Sequence, residues 1–569
     1  MAGLELIITP GISDLTGEAS TIGDLAATLA TVDRAALVRY SIRIMNILAA
    51  DRRTGVATAD QAGFVAVLPP GLRARYESFV KSAGTSVRLL HPAQQLVLVH
   101  AAARYGAFER GLTLDDPAAR TAWALACLQI NDHLMKQPVP PSGLSSWDKA
   151  LYLFSEDAGR WELGNPSRPD KSLARTRVLF RHVPQQSPDR FEAAERLRKM
   201  FVDQLGLDFD TAYNLTAFLI YHWVGESTNL GARSDFPSVN RQTWLQNSTI
   251  PLERFDRYLS RIAMRLEEIV PTFDGHGVGM SFRDVLPFRR RPLFRIDDDA
   301  VAFLAPQFMS EKGGVDLLWL LTNEPGGGKE PRMFTDDFSL LYEGYVQLVL
   351  EALGSRLGGE YVADIAFAGE DGSGQIDGLV KAGNLLAVLE VKASLVRAPL
   401  LAGGATDKVR SDLETKFVGG PGARKGLSQL VHAIHWLAAE RRAGRLVHGL
   451  NLKSVDSILP VLIVADRHLR YPGLGEWFDH SLQQMLRPVW AHVGPVTICG
   501  TEDLETMEHL AIKGNARFMD ILANYSRRAK RAKQPLWTYY DAPKGPHPRL
   551  DGIFKEWMAE LVEQKIMLR

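Results

Sequence analysis

The stretch QIDGLVKAGNLLAVLEVKAS, residues 375–394, leaves the chain few ways to fold around it. Two apolar runs flank Gly383-Asn384, and both of those residues tolerate the positive φ that a two-residue hairpin turn requires. With those two as the loop, Ala382 faces Leu385, and the same register carries Asp377 opposite Glu390. A four-residue loop keeps that register; a three-residue loop breaks it. Because side chains alternate along a strand, Glu390 and Lys392 share a face and Val391 takes the other. Three groups that resist burial therefore gather at one end of an otherwise aliphatic hairpin.

Opposed carboxylates on facing strands stand about 4.5–5.5 Å apart, and like charges so placed destabilise a sheet. Proton sharing or a salt bridge to Lys392 relieves the repulsion. A divalent cation does so most directly, since Mg²⁺ takes one or two carboxylates and keeps waters for a substrate phosphate. Such an ion activates water and stabilises charge on a phosphoryl oxygen. Lys392 is then placed to orient or deprotonate the attacking water. The competing reading is a charged strand end emerging into solvent.

The neighbouring segments form an ordered series. TDDFSLLYEGYVQLVLEALG reads as a helix with Thr335 and Asp336 as N-cap candidates and Gly354 as its C-cap. Phe338, Leu341, Tyr342, Tyr345, Val349 and Leu353 form one apolar stripe on it, with Glu343 beside the stripe. EYVADIAFAG reads as a strand, QIDGLVKA and LLAVLEVKAS as a pair, ARKGLSQLVHAIHWLAAERR as a helix and SILPVLIVAD as a buried strand.

At these residues the chain resembles the PD-(D/E)xK nuclease superfamily, the restriction-endonuclease-like fold. The resemblance implies an αβββαβ core with an acid on the second strand and (D/E)-x-K on the third. Ile376-Asp377 stands where the family often has Pro-Asp, and Glu390-Val391-Lys392 matches the second half, with twelve residues between Asp377 and Glu390. Many members add a glutamate from the first helix, which carries over to Glu343. Some add a glutamine from the following helix, which carries over to Gln429; Ala433 stands where those members often have tyrosine. Asp364 is a further ligand candidate. Gln429 shares a helix face with His432 and Trp436 that looks either toward the site or toward the C-terminal segment. His432 and His435 read as a structural pair.

Before residue 287 the chain shows mainly helical periodicity and no defensible chemistry. PFRRRPLFRIDDDAVAFLAP reads as a β-hairpin turning at Asp297–Asp299, and EPGGGKEP as a linker. Its Gly-Gly-Gly-Lys is no phosphate loop, because Glu330 follows the lysine where Ser or Thr would hold magnesium. The expected organisation is a helical region over 1–286, hairpin and linker over 287–333, nuclease core over 334–470 and an extension over 471–569.

Lys plus Arg equals Asp plus Glu, so only local clusters speak of a partner. The connection from Arg397 to Arg424 carries Lys408, Arg410, Lys416 and Arg424, with Lys425 beyond it. It reads either as a loop closing over a phosphate backbone or as a solvated insertion with its own short helix. NYSRRAKRAKQP supplies Arg527, Arg528, Lys530, Arg531 and Lys533 for sequence-independent phosphate contacts, or forms a solvated helix face. Arg289, Arg290 and Arg291 form a smaller cluster. Cys127 and Cys499 make no spacing motif, which excludes a disulfide scaffold and a cysteine zinc site. No signal peptide or membrane span is evident, so a cytoplasmic protein is expected.

The resemblance implies a nuclease dependent on Mg²⁺ or Mn²⁺, with DNA favoured over RNA. Asp377, Glu390 and Glu343 would hold metal, while Lys392 and Gln429 assist. The helical region would bind a protein partner, form a homo-oligomer or sense a trigger, and family analogy points to restriction or antiviral defence. The alternatives are an interaction scaffold with an inactive nuclease fold and a nucleic-acid-binding regulator without chemistry.

Overall fold

The computed structural model describes residues 9–563 apart from 55–62, 84–86, 88, 109–110, 135–138, 165–167, 228–235, 245, 247, 275–284, 321–331, 370–371, 398–399, 401–405, 420–424, 533, 541–542 and 544. The EPGGGKEP linker thus lies outside the described residues. Helices dominate the first 290 residues, as their periodicity predicts. The helix Pro92–Tyr105 shows why one of them is central. His91 caps it by accepting the Ala93 N–H, and every residue from Pro92 to Ala103 is buried. Around it Leu25, Leu37, Trp123 and Ile130 form one apolar cluster. No helix among the described residues is long and apolar enough to cross a membrane.

The expected hairpin forms as β3 (Leu293–Arg295) and β4 (Ala300–Phe303). Its turn is made by Asp297, whose Oδ1 accepts the N–H groups of Asp299 and Ala300 at 2.8 and 2.7 Å. Two short strands of the helical region, β1 (Ser238–Asn240) and β2 (Ala263–Met264), complete a four-stranded sheet in the order β1-β4-β3-β2.

The larger sheet follows the helix Arg332–Leu353. That helix begins before Thr335 and Asp336, which lie inside it rather than capping it. It ends where expected, with Gly354 at φ 48°. β5 (Glu360–Gly369), β6 (Gly372–Ala382) and β7 (Leu385–Lys392) run antiparallel in sequence order. The helix Leu427–Arg442 then leads to β8 (Ser457–Val464), which lies parallel to β7. The observed order is helix, three strands, helix, strand. β7 is buried from Leu386 to Val391 because both sheet faces are covered, which explains its unbroken apolar run.

The sheet extends past residue 470. β10 (Thr497–Gly500) pairs with β8, and β9 (His492–Val493) also lies beside β8. One apolar cluster joins Leu197, Phe209 and Tyr258 of the helical region to Tyr345, Leu389 and Val461 and to Leu504, Phe518 and Trp557 near the C-terminus. The boundaries expected at 286 and 470 therefore do not separate independent cores. Proline and glycine mark where elements stop, and a shared core leaves no mark of that kind.

Candidate active site

The β6–β7 hairpin turns at Gly383, φ 60°, and its ladder pairs Ala382 with Leu385 and continues to Gly378 with Leu389. This is the expected register. It stops one residue short of the acids, so Asp377 and Glu390 do not form a ladder pair as expected. Instead the Asp377 Oδ2 accepts the N–H of Val391 at 2.6 Å, taking the place of a backbone partner.

The cause lies in the preceding strand, β5. β5 pairs with β6 at Ala363–Gly378 and at Ile365–Ile376 but skips Asp364–Asp377, and Asp364 holds φ 51°. That conformation is costly for a non-glycine residue and reverses the alternation of both strands. Ile376 and Leu379, an odd number of residues apart, consequently pack in the same cluster. Gly378 admits the Tyr361 ring at this point, since a Cβ there would stand 2.9 Å from the ring. The Asp377 side chain is thereby turned into a cleft lined by Glu343, Asp364, Tyr361, Val391 and Arg190.

Glu390 is fully buried. Lys392 Nζ stands 2.5 Å from its Oε1, yet neither carboxylate oxygen receives a well-directed hydrogen bond from the described residues. Burial pushes the Glu390 carboxyl well above the usual range, with Asp377 and Glu343 adding to the effect and Lys392 opposing it. Burial likewise raises Asp377, against the pull of the Val391 N–H and Lys392. Burial and the Asp377 charge raise Glu343 to about 7. For Lys392 burial works against the charge, but Glu390, Asp377 and Glu343 outweigh it and hold its pKa above the ordinary lysine value. One lysine thus answers three carboxylates drawn from a helix and two strands.

Other expected residues are placed differently. The Gln429 side-chain amide donates to the carbonyl oxygen of Gln375, two residues before Asp377, and so anchors β6 beside the site. Arg410 pairs with Asp148 at 2.9 Å, and Lys416 donates to the Leu395 carbonyl at 2.6 Å and pairs with Asp412 at 3.2 Å. Arg410 thus ties the insertion, with its short helix Thr406–Leu413, to the helix Ser146–Gly164, and Lys416 serves the insertion's own packing. Lys408 and Lys425 are exposed, as are Arg527 and Arg528 on the helix Phe518–Ala532. Lys530 and Arg531 lie on that helix; Arg424 and Lys533 lie outside the described residues. His435 Nε2 accepts the Arg487 N–H at 3.1 Å, in keeping with a structural role.

Arg190 is the residue that sequence reasoning missed. It reaches the cleft from the helix Pro188–Leu205 and donates to Gln347 Oε1 at 2.8 Å. No local pattern marks it, because its neighbours in the cleft lie far along the chain.

The raised Glu343 pKa has a stability consequence. Its ordinary value is 4.5, so folding favours the neutral carboxyl. That contribution is full below the ordinary value and is lost as pH rises toward 7. Without divalent metal, Glu343→Gln is expected to exceed wild type in stability above pH 7 by on the order of 1 kcal/mol, and to show no gain near pH 4.5. Chemical denaturation at the two pH values reads the difference; an equal effect at both excludes the electrostatic cause.

Among the described residues, no three Asp, Glu, His or Cys side chains converge tightly enough to cage a metal by themselves. Mg²⁺ does not require such a cage, since it binds through one or two carboxylates and retains waters. Asp377 and Glu343 line the cleft, while the buried, poorly hydrogen-bonded Glu390 carboxylate lies within electrostatic reach of both without lining it. Comparison with known proteins relates the chain to none: no family model, no curated protein and no solved structure matches it.

Proposed function

We propose that the chain is a divalent-metal-dependent nuclease that hydrolyses phosphodiester bonds of DNA. The observation that carries this reading is the Lys392–Glu390 ion pair at the end of the β6–β7 ladder, within electrostatic reach of Asp377 and Glu343. Asp377 and Glu390 would hold Mg²⁺ or Mn²⁺, with Glu343 assisting, and the bound ion would stabilise charge on a phosphoryl oxygen. Lys392 Nζ orients the attacking water, while Arg190 and Gln347 steady the cleft wall behind Glu343. In hydrolysis the water oxygen bonds to phosphorus, one P–O ester bond breaks, and the leaving oxygen takes a proton. The exposed Lys408, Lys425, Arg527 and Arg528 supply contacts to backbone phosphates, which salt weakens.

Incubating the full chain with duplex DNA, single-stranded DNA and RNA tests the reading. Cleavage is expected with Mg²⁺ or Mn²⁺, is lost in excess chelator and returns when metal is restored. Cutting at the full rate in chelator overturns the metal dependence; cutting of RNA alone overturns the substrate; cutting of neither acid overturns the activity.

A further inference from the structure

A second cavity lies past the C-terminal ends of the parallel strands β7, β8 and β10. Val396 follows β7 into its wall, Asp466 follows β8 and Thr501 follows β10, while the helix Pro306–Lys312 closes it from the helical region. This end of an open α/β sheet is where such folds place ligands. Four arginines in the wall each have a carboxylate: Arg175 with Glu505 at 2.6 Å, Arg289 with Asp316 at 3.0 Å, Arg467 with Glu311 at 2.6 Å and Arg470 with Asp503 at 2.9 Å.

Lys312 is different. It is 2% exposed and lines the cavity, yet its ammonium makes one hydrogen bond, 3.4 Å long, to the Asp316 carbonyl oxygen and no ion pair among the described residues. An ammonium withdrawn from water needs more compensation than that. Its place at the end of a seven-residue helix supplies little. Burial lowers its pKa to about 8, with Asp316 pulling back and Arg289 pushing further down. The missing partner is an anion, and guanidinium groups, which carry more N–H donors than one carboxylate takes, suit the several oxygens of a phosphoryl group.

We propose that this cavity binds the phosphoryl group of a small anion, with Lys312 as its ion partner. The inference is independent of cleavage at Asp377. Calorimetric titration of the full chain with inorganic phosphate, pyrophosphate, ATP and acetate tests it. Saturable binding is expected for at least one phosphoryl ligand. Phosphate binding as tightly as ATP identifies the free ion as the ligand, and tighter ATP binding identifies a nucleotide. Lys312→Gln is expected to weaken binding by at least about tenfold, because a charge-assisted hydrogen bond is lost. Leu395→Phe adds bulk to the wall without removing a charge and is expected to weaken it similarly. Lys453→Gln, at an exposed site outside the cavity, leaves it unchanged. No saturable phosphoryl binding, acetate binding equally well, or unchanged binding in Leu395→Phe overturns the proposal. The last outcome also decides the matter where Lys312→Gln does not fold.

Discussion

Asp377→Ala and Lys392→Met are each expected to lower DNA cleavage by about 10²–10³-fold or more while leaving DNA affinity within about twofold. The asymmetry follows from placement. Both side chains sit where the β6–β7 ladder ends, whereas the exposed cations that would meet the phosphate backbone lie elsewhere. Structural damage has to be separated from lost chemistry, because Lys392 is the ion partner of the fully buried Glu390. Removing the lysine alone strands that carboxylate, and the fold responds by keeping it protonated or by losing stability. The double variant Glu390→Gln with Lys392→Met removes both charges at nearly constant volume. It is expected to recover the stability lost in Lys392→Met and to remain inactive. Gel-based cleavage with Mg²⁺, beside denaturation curves for all variants, reads both quantities. Wild-type cutting by folded Lys392→Met would remove this lysine from the reaction.

The hairpin holding these residues is legible because its determinants are local. Gly383-Asn384 sets the turn, and the aliphatic run of β7 marks a strand covered on both faces. The rotation of Asp377 is not legible. It depends on the positive φ of Asp364 in the preceding strand and on the Tyr361 ring packed against Gly378, contacts that exist only once three strands assemble. The basic insertion shows the same limit from the other side. Its charges are visible in the sequence, but whether Arg410 and Lys416 meet phosphate or carboxylate depends on Asp148 and Asp412. The apolar cluster shared across the boundaries at 286 and 470 is hidden for a related reason. Breaks in local periodicity say where an element ends, and the side chains that unite distant segments obey no local period.

The second large effect concerns that union. Arg175 of the helix Pro169–Arg177 forks onto Glu505 of the helix Thr501–Ile512, Nε to Oε1 at 2.6 Å and Nη2 to Oε2 at 2.9 Å. Tyr345 of the 332–353 helix donates to the same Oε1 at 2.6 Å, and Arg549, paired with Glu508, reaches the Tyr345 hydroxyl at 3.3 Å. Glu505 is completely buried and the Arg175 side chain is 11% exposed. Glu505→Ala, which leaves the guanidinium without its carboxylate, is expected to destabilise the chain by about 3–5 kcal/mol. Arg175→Met with Glu505→Leu removes both charges and is expected to return most of that loss. Burial works against the Glu505 charge, but Arg175 outweighs it and depresses the pKa, so the ion pair's contribution is present above the ordinary glutamate value of 4.5 and fades as pH falls below it. The gap between wild type and Glu505→Ala should therefore narrow in acid. Because this network ties the helical region and the C-terminal helices to the 332–353 helix, a fragment cut at 334 and 470 loses Arg175, Glu505 and Arg549 together. Such a fragment is expected not to fold cooperatively; a sharp unfolding transition from it would show that the sheet stands without those flanking segments.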